Sequence, residues 1–370
     1  MKVNTISLNS VRLNTIALNH IGEIRSGGGA SKPSPIPQWI REHIVFYYDV
    51  KKQGATNETL KESAYLQDLS GKGRRMKLNN FLFAEMSGVG GYNDNFKNWT
   101  LRSVAGTADL ISSEQIILRK FVSKEDAVIE IIPAKRRAFL KCNIEGITEE
   151  LKGKIRLRYH TEAGYRDKIL ENGYFEFDSN IESDNSGFVG FISTELIDNC
   201  NITITQIPEY PGALVTDGVD DCGLVENLSS GVKMLFMTVN PIGDFNIGKM
   251  YYSQRYNPIE ITPFYIFTGG TNIAYAGNQA GLTYINGVLN KSIKYNELFG
   301  VKHTITTVND NVKPETSKAP SFFWEEGNTK NYCSRLAFYN SIAFDSIPTE
   351  ADGFTEQELI DYVLTNIIGQ

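Results

Sequence analysis

Apolar and polar positions alternate in short runs along most of the chain. Between Phe96 and about Pro208 the runs include QIILRKFV, AFLKCNI, KIRLRYHT and CNITITQIP, and polar turn sequences separate them. A period of two places alternate side chains on one face of a strand, so each run indicates a half-buried β-strand. Strands at such close spacing predict a β-sandwich over residues 96–208.

The same texture continues from Tyr210 to about Asp345, in runs such as VKMLFMTVN, HTITTV and RLAFYNSIAF. We therefore expect an all-β chain. Only the last segment, FTEQELIDYVLTNIIG, has helical spacing, and Thr355 followed by Glu358 predicts a capping box at its start. Its apolar residues fall on one side of the predicted helix: Leu359, Ile360, Val363, Leu364 and Ile367.

The N-terminus repeats an apolar pair every five residues, and an asparagine follows each pair. A step of five fits neither a continuous helix nor a flat strand, while asparagine readily turns a corner. The repeat predicts a narrow, coiled β-segment over residues 1–25 whose apolar edge is covered by other copies or by another protein. The alternative is a flexible arm with a chance repeat. The residues predicted to serve attachment or oligomerisation are Ile6, Leu8, Val11, Leu13, Ile16, Leu18 and Ile21.

The segment after this repeat predicts a linker and then the first strand. SGGGASKPSPIP combines flexible glycine with stiff proline, which is typical of a linker over residues 26–38. REHIVFYYDV predicts a strand, and the polar KKQGATNETLKES predicts a loop. No segment has the unbroken apolar length of an export signal or a membrane span, so we expect a protein made in the cytoplasm, without membrane contact.

Charge and cysteine content argue against nucleic-acid partners, a cysteine metal site and a disulfide framework. The 370 residues carry a net charge of −6 without a basic cluster, which argues against nucleic-acid binding. The four cysteines are too widely spaced for a metal motif and too few for a disulfide framework. Buried thiols are the prediction, and a Cys142–Cys200 bridge is the alternative.

Four segments resemble LamG-like, concanavalin A-like jelly rolls, in the order that this family has them. DLSGKGRRMKLNNFLF (68–83) resembles the opening D-x-S-G-x-G strand, and DGVDDCGLV (217–225) resembles the D-G-x-D-D signature. YING (284–287) resembles the Y-x-N-G hairpin, while RLAFYNSIAF and FTEQELIDYV resemble the closing strand and helix. The chain departs from the family at Cys222, where an aromatic residue is usual, and in the long gap between the first two motifs.

That gap predicts a second β-sandwich inserted into a loop of the jelly roll. Its opening, NFKNWTLRS, resembles the start of carbohydrate-binding-module-like sandwiches. Such an insertion costs little free energy, because the entropic cost of closing a loop grows slowly with its length. The predicted layout is an attachment segment (1–25), a linker (26–38), a LamG-like jelly roll (39–95 with 209–370) and an inserted sandwich (96–208).

The whole arrangement resembles fibre and other surface proteins of tailed phages, including crAss-like and related phages of gut anaerobes. The resemblance implies a non-enzymatic structural protein of the virion surface, homo-oligomeric with a trimer favoured. It also implies attachment to a capsid or tail protein through the N-terminus, with sandwiches that recognise host polysaccharide. A bacterial glycan-binding protein is the main alternative.

A glycanase is a further alternative, since related jelly rolls include laminarinase-like enzymes with an E-x-D-x-x-x-E strand. Glu176, Asp178 and Glu182 have this spacing. However, Asp178-Ser179-Asn180 has the composition of a turn, which would take Glu182 off the strand. We therefore predict no catalytic residues.

Aromatic and acidic clusters give the candidate binding residues. Exposed aromatic rings beside polar groups suit sugar faces, and two clusters have this composition, with core packing as the competing interpretation. The acidic loop is a weak calcium candidate that a turn explains equally well, and no other cofactor is predicted. The glycan candidates are Tyr251, Tyr252, Arg255, Tyr256, Trp324 and Asn328, and the calcium candidates are Asp217, Asp220 and Asp221.

Overall fold

The computed structural model divides the chain into two compact units. Unit 1 holds the described residues up to Phe83, Ser87–Val89 and those from Gly212 onwards, and unit 2 holds Ala84–Met86 and Gly90–Pro211. The described residues are 35–131, 138–161, 164–178, 188–228, 231–242, 250–254, 264–269, 272–274, 282–290, 293–310, 320–323 and 333–369.

The elements before the insertion are α1 (Pro35–His43), β1 (Ile44–Asp49), α2 (Asn57–Ser63), β2 (Tyr65–Leu66), β3 (Met76–Asn79) and β4 (Gly88–Val89). The insertion contains a 3₁₀ turn (Phe96–Asn98), β5 (Thr100–Leu101), β6 (Gly106–Leu110), β7 (Gln115–Phe121), β8 (Ile129–Ile131), β9 (Phe139–Glu145), β10 (Ile155–Thr161), β11 (Gly164–Ile169), β12 (Gly173–Asp178), β13 (Val189–Ser193) and β14 (Ile202–Gln206).

The elements after the insertion are β15 (Leu214–Val215), β16 (Cys222–Val225), β17 (Met234–Pro241), β18 (Met250–Gln254), β19 (Phe264–Gly269), β20 (Asn272–Ala274), β21 (Leu282–Ile285), β22 (Val288–Leu289), β23 (Ile293–Lys294), α3 (Tyr295–Leu298), β24 (His303–Val308), β25 (Ser321–Phe322), β26 (Leu336–Phe344), a 3₁₀ turn (Glu350–Asp352), α4 (Glu356–Tyr362) and a π-helical end (Val363–Ile368). The predicted all-β class is confirmed, and the strand pairs of the described residues are antiparallel.

Unit 1 consists of two eight-stranded sheets with a hydrophobic core between them. The first sheet has the order β22-β21-β24-β17-β26-β15-β4, and β1 pairs with β26. The second has the order β2-β3-β16-β25-β18-β19-β20-β23. Two sheets that cover one another in this way form a β-sandwich.

The central strands of the first sheet of unit 1 are buried on both faces. On β17, Leu235 and Met237 face the core between the sheets, whereas Met234 and Phe236 face a second apolar cluster on the outside. Helices α1 and α4 supply that outer layer, and Trp39 packs its ring against Phe344 at 5.3 Å. Burial on both faces explains why β17 is apolar almost throughout instead of alternating with polar residues.

The predicted C-terminal helix and its cap are confirmed. The Thr355 side chain accepts a hydrogen bond from the backbone N–H of Glu358, and the Glu358 side chain accepts one from the backbone N–H of Thr355. Leu359 and Ile360 are buried in the outer cluster. The helix widens into a π-helix from Val363, which the spacing of apolar residues did not indicate.

Two sequence predictions about the start of unit 1 are wrong. Residues 35–38 belong to α1 and not to the linker, because Pro35 can occupy the first turn of a helix, where a missing N–H costs nothing. The predicted loop contains α2, which Thr56 begins with a capping box and which buries Leu60. One buried apolar residue in a polar heptad gives too little periodicity to be recognised.

The insertion leaves and re-enters unit 1 through paired strands. Strand β4, which precedes the insertion, pairs with β15, which follows it: Leu214 lies opposite Val89. In unit 2, the backbone N–H of Tyr210 donates to the carbonyl of Gly90 at 2.8 Å, so its two ends are also adjacent. The predicted inserted block, 96–208, lies within the 90–211 range of unit 2.

Unit 2 is a smaller sandwich of two five-stranded sheets, with the orders β11-β10-β13-β8-β5 and β12-β9-β14-β7-β6. Its core shows the alternation expected from the sequence: Leu140, Cys142 and Ile144 of β9 point inward. Trp99 stacks on Phe191 at 5.7 Å within this core.

All four cysteines are buried thiols, as predicted. Burial raises the pKa of the Cys142 thiol to about 12 and that of Cys200 to about 11, so neither is a ready nucleophile. Within the described residues, every helix is too short or too polar to cross a membrane.

Candidate functional site

The three aspartates of the acidic loop converge in unit 1. One oxygen from each of Asp217, Asp220 and Asp221 lies within 4.8 Å of the others. Asp221 is fully buried, and its two oxygens accept hydrogen bonds from the backbone N–H of Asp217 (2.8 Å) and from the hydroxyl of Ser87 (3.0 Å). Oxygen ligands at this spacing can hold calcium, and the same contacts stabilise the turn around Gly218.

Burial and the neighbouring carboxylates raise the pKa of Asp221 to about 7. A carboxyl whose pKa is higher in the folded state stabilises the fold below its unfolded pKa and loses that effect as pH rises through 7. We expect the free energy of unfolding of unit 1 to fall by about 2–4 kcal/mol from this group between pH 4 and pH 8. The Asp221→Asn variant should lack this decrease in a denaturation series, whereas Asp310→Asn, on an exposed carboxylate, should keep it.

The same variants test calcium binding. Calcium favours ionised Asp221, so it should raise the melting temperature of the wild-type protein at pH 8 and leave Asp221→Asn unchanged. If calcium changes the melting temperature of neither protein, the acidic loop is a turn and not a metal site.

The predicted aromatic glycan site is wrong for the two residues that the structure describes. Tyr251 and Tyr252 have exposed fractions of 1% and 0%, and both belong to the core of unit 1. The Tyr252 ring packs edge-on against Phe322 at 5.0 Å. The two tyrosines belong to a strand whose rings pack in the core, which was the competing interpretation. Neither ring is therefore available to a sugar.

The remaining glycan candidates, Arg255, Tyr256, Trp324 and Asn328, lie outside the described residues. The predicted attachment residues, Ile6, Leu8, Val11, Leu13, Ile16, Leu18 and Ile21, also lie outside them.

Glu176 and Asp178 of the glycanase-like motif lie on the solvent side of unit 2. Glu176 is exposed on β12, and its Oε2 accepts a hydrogen bond from the hydroxyl of Tyr174 at 2.6 Å. Glu182 lies outside the described residues, so the spacing of the pair stays a sequence observation.

The outer face of the β12-β9-β14-β7-β6 sheet carries a row of neutral polar side chains that sequence reasoning did not identify. We call Tyr174, Asn143, Thr205 and Gln115 the amide row. Register places them opposite one another on four neighbouring strands: Tyr174 pairs with Asn143, Asn143 with Thr205, and Thr205 with Gln115. The last three are half-buried, while Tyr174 has an exposed fraction of 63%.

Hydrogen bonds within the sheet orient the amide row but use only part of its capacity. The Gln115 amide donates to the Thr205 hydroxyl at 2.8 Å, and the Asn143 amide donates to Glu145 at 2.8 Å. These contacts leave the side-chain carbonyl oxygens of Asn143 and Gln115 and the hydroxyl proton of Thr205 available to a ligand. The row therefore presents donors and acceptors side by side.

The outer face of the opposite sheet of unit 2 has a different chemistry. Arg158 makes a bidentate pair with Asp167 at 2.7 and 2.9 Å, and Arg102 pairs with the buried Glu130 at 3.1 Å. Tyr165 on this face has an exposed fraction of 54% and packs against His160 at 5.2 Å. Here the charged groups already bind one another.

A faint signal for the amide row exists in the sequence. Asn143, Thr205 and Gln115 each occupy an outward position in an alternating run. The sequence does not show that β9 and β14, which are far apart along the chain, are neighbours.

No protein-family model, no curated protein and no solved structure matches the chain significantly.

Proposed function

We propose that this chain is a non-enzymatic structural subunit of a tailed-phage virion, a head or tail fibre or a decoration protein. Residues 1–25 attach it to a capsid or tail protein, and its two β-sandwiches face outward, where they recognise host glycan. The observation that carries the proposal is the order of parts: an apolar five-residue repeat, a linker, then a sandwich that contains a second sandwich.

Unit 1 is, in this proposal, the LamG-like jelly roll. The segments that resemble the family all lie in unit 1, and two of them form defined turns. Asp68 accepts hydrogen bonds from the backbone N–H groups of Tyr47 (3.0 Å), Ser70 (2.9 Å) and Arg74 (3.0 Å). A buried aspartate with three such bonds holds the D-x-S-G-x-G loop against β1, which is a structural reason for the motif.

The Y-x-N-G segment supports the same assignment. Asn286 and Gly287 join β21 to β22 with φ angles of 50° and 84°. Two consecutive positive φ angles are the requirement of a tight hairpin turn, and Asn-Gly meets it best.

Deleting residues 1–25 tests the attachment role. We expect the full-length protein to be a defined oligomer by light scattering and to enter virions, and the protein that begins at Ser26 to be a folded monomer that does not. The physical reason is the loss of an apolar edge that needs a partner.

A matched pair of variants separates apolar contact from mere chain length. Leu8→Asp with Leu13→Asp should abolish assembly, whereas Ser7→Asp with Ser10→Asp, on polar positions of the same repeat, should preserve it. If the truncated protein still oligomerises and enters particles, the attachment role is contradicted. Glycan binding without any particle association would instead favour a bacterial glycan-binding protein.

A further inference from the structure

The amide row runs at right angles to its strands. Neighbouring strands in a sheet lie about 4.8 Å apart, so Tyr174, Asn143, Thr205 and Gln115 present a polar group at each such step along a line. A chain of pyranose rings advances by a similar length per residue. The row therefore matches a linear ligand that crosses the strands and repeats at the strand spacing.

The chemistry of the row favours hydroxyl groups. A sugar hydroxyl both donates and accepts, and the row offers the carbonyls of Asn143 and Gln115 beside the hydroxyl of Thr205. Side-chain amides and hydroxyls bind neutral groups without the desolvation cost of an unpaired charge.

The charged side chains that flank the row leave a negative charge beside it. Lys141 binds Glu209 at 2.6 Å, and Glu176 accepts from the Tyr174 hydroxyl. Glu145 accepts from Asn143. The Lys141 ammonium is neutralised by Glu209, whereas Glu176 and Glu145 accept from neutral groups and keep their negative charge, which disfavours an anionic ligand and favours a neutral one.

Tyr174 supplies the apolar part of the surface at the β12 end of the row. Its ring is largely exposed, and the hydrogen bond of its hydroxyl to Glu176 restricts the directions that the ring takes. A held, exposed ring suits the C–H face of a sugar, because aromatic rings combine large contact area with low loss of side-chain entropy.

We propose that the amide row of unit 2 binds a neutral polysaccharide that runs across β12, β9, β14 and β7, with one sugar stacked on Tyr174 and the following hydroxyls bound by Asn143, Thr205 and Gln115. This inference rests on the proposed outward, glycan-recognising role of the sandwiches. It names the ligand class and the site for that role.

The two exposed tyrosines of unit 2 provide a matched test. Tyr174 and Tyr165 lie on the edge strands of opposite sheets and are similarly exposed. Full-length protein, Tyr174→Ala and Tyr165→Ala would be run by affinity electrophoresis in gels that contain dextran, galactomannan or xyloglucan as neutral probes, and alginate as an anionic probe. We expect retardation by at least one neutral probe, an affinity about tenfold or more weaker in Tyr174→Ala, and no change in Tyr165→Ala.

A second variant, Asn143→Ala with Gln115→Ala, should weaken binding in the same way, and thermal melts would show that each variant remains folded. The proposal is overturned if no neutral probe retards the protein, if alginate alone does, or if Tyr165→Ala is the variant that loses binding. Virion incorporation of the same proteins is measured separately. If the protein enters particles but binds no neutral glycan, the proposed binding role of the amide row is contradicted and the proposed virion role is not.

Discussion

Replacing Phe322 with alanine should lower the free energy of unfolding of unit 1 by about 3–5 kcal/mol. Phe322 is fully buried on β25. Alanine would leave a cavity at the point where the two sheets meet, and a close-packed interior fills such a cavity only in part. The Phe322 ring has its centroid 5.0–6.0 Å from those of Phe46, Tyr48, Tyr252, Phe323 and Phe338.

Hydrogen exchange followed by mass spectrometry would measure this effect separately in each unit. Protection should fall in the β1 and β26 peptides of unit 1 and be retained in β9 and β14 of unit 2. Phe299→Ala is the control, because it removes the same ring from a half-exposed position of unit 1 and should cost less than about 1 kcal/mol. Equal losses from the two variants would contradict the role of Phe322 as the centre of the core.

The second large effect is expected at Gly146, immediately after β9 in unit 2. Its φ angle is 93°, which L side chains rarely adopt, and a Cβ atom there would overlap the backbone carbonyl oxygen of Asn201. Asn201 directly precedes β14, which pairs with β9, so its backbone cannot shift without disturbing that pairing. Gly146→Ala should therefore destabilise unit 2 by about 3–5 kcal/mol.

Gly153 offers a control with the same type of backbone and no steric conflict. Its φ angle is 76°, and the position of a Cβ atom has no neighbour within 4 Å. Gly153→Ala should cost only about 1–2 kcal/mol, the strain of a left-handed residue. Calorimetry of both variants would compare them directly. Similar melting temperatures would show that strain and not overlap limits substitution at Gly146.

The core of unit 2 and the amide row lie on opposite faces of the same sheet. Along β9, the inward residues hold unit 2 together, and in our proposal the outward residue Asn143 binds a ligand. Substitutions on the outward side should therefore change binding with little change in stability, and substitutions on the inward side should do the reverse. This separation makes binding variants of unit 2 interpretable.

Several elements were readable from local pattern alone. The alternating runs of unit 2 correspond to strands, because one buried face requires a period of two. The capping box of Thr355 and Glu358 needs only residues three apart. By contrast, β11 (Gly164–Ile169) was not predicted. It is an edge strand with mostly exposed side chains, so nothing in its composition marks a buried face.

The sequence by itself determined the class of structure: short strands, their turns, the capped C-terminal helix, and an inserted block between two halves of a larger sandwich. The strands, turns and helix depend on periodicity and on residues close together in the chain, whereas the inserted block was predicted from the long gap between two segments that resemble the LamG-like family. The tertiary structure alone decided that Tyr251 and Tyr252 are buried and that β12, β9, β14 and β7 are neighbours. An aromatic strand residue has the same local pattern in a core and on a surface, and strand order depends on contacts between distant residues. The candidate binding surface therefore emerged only when the sheets were assembled.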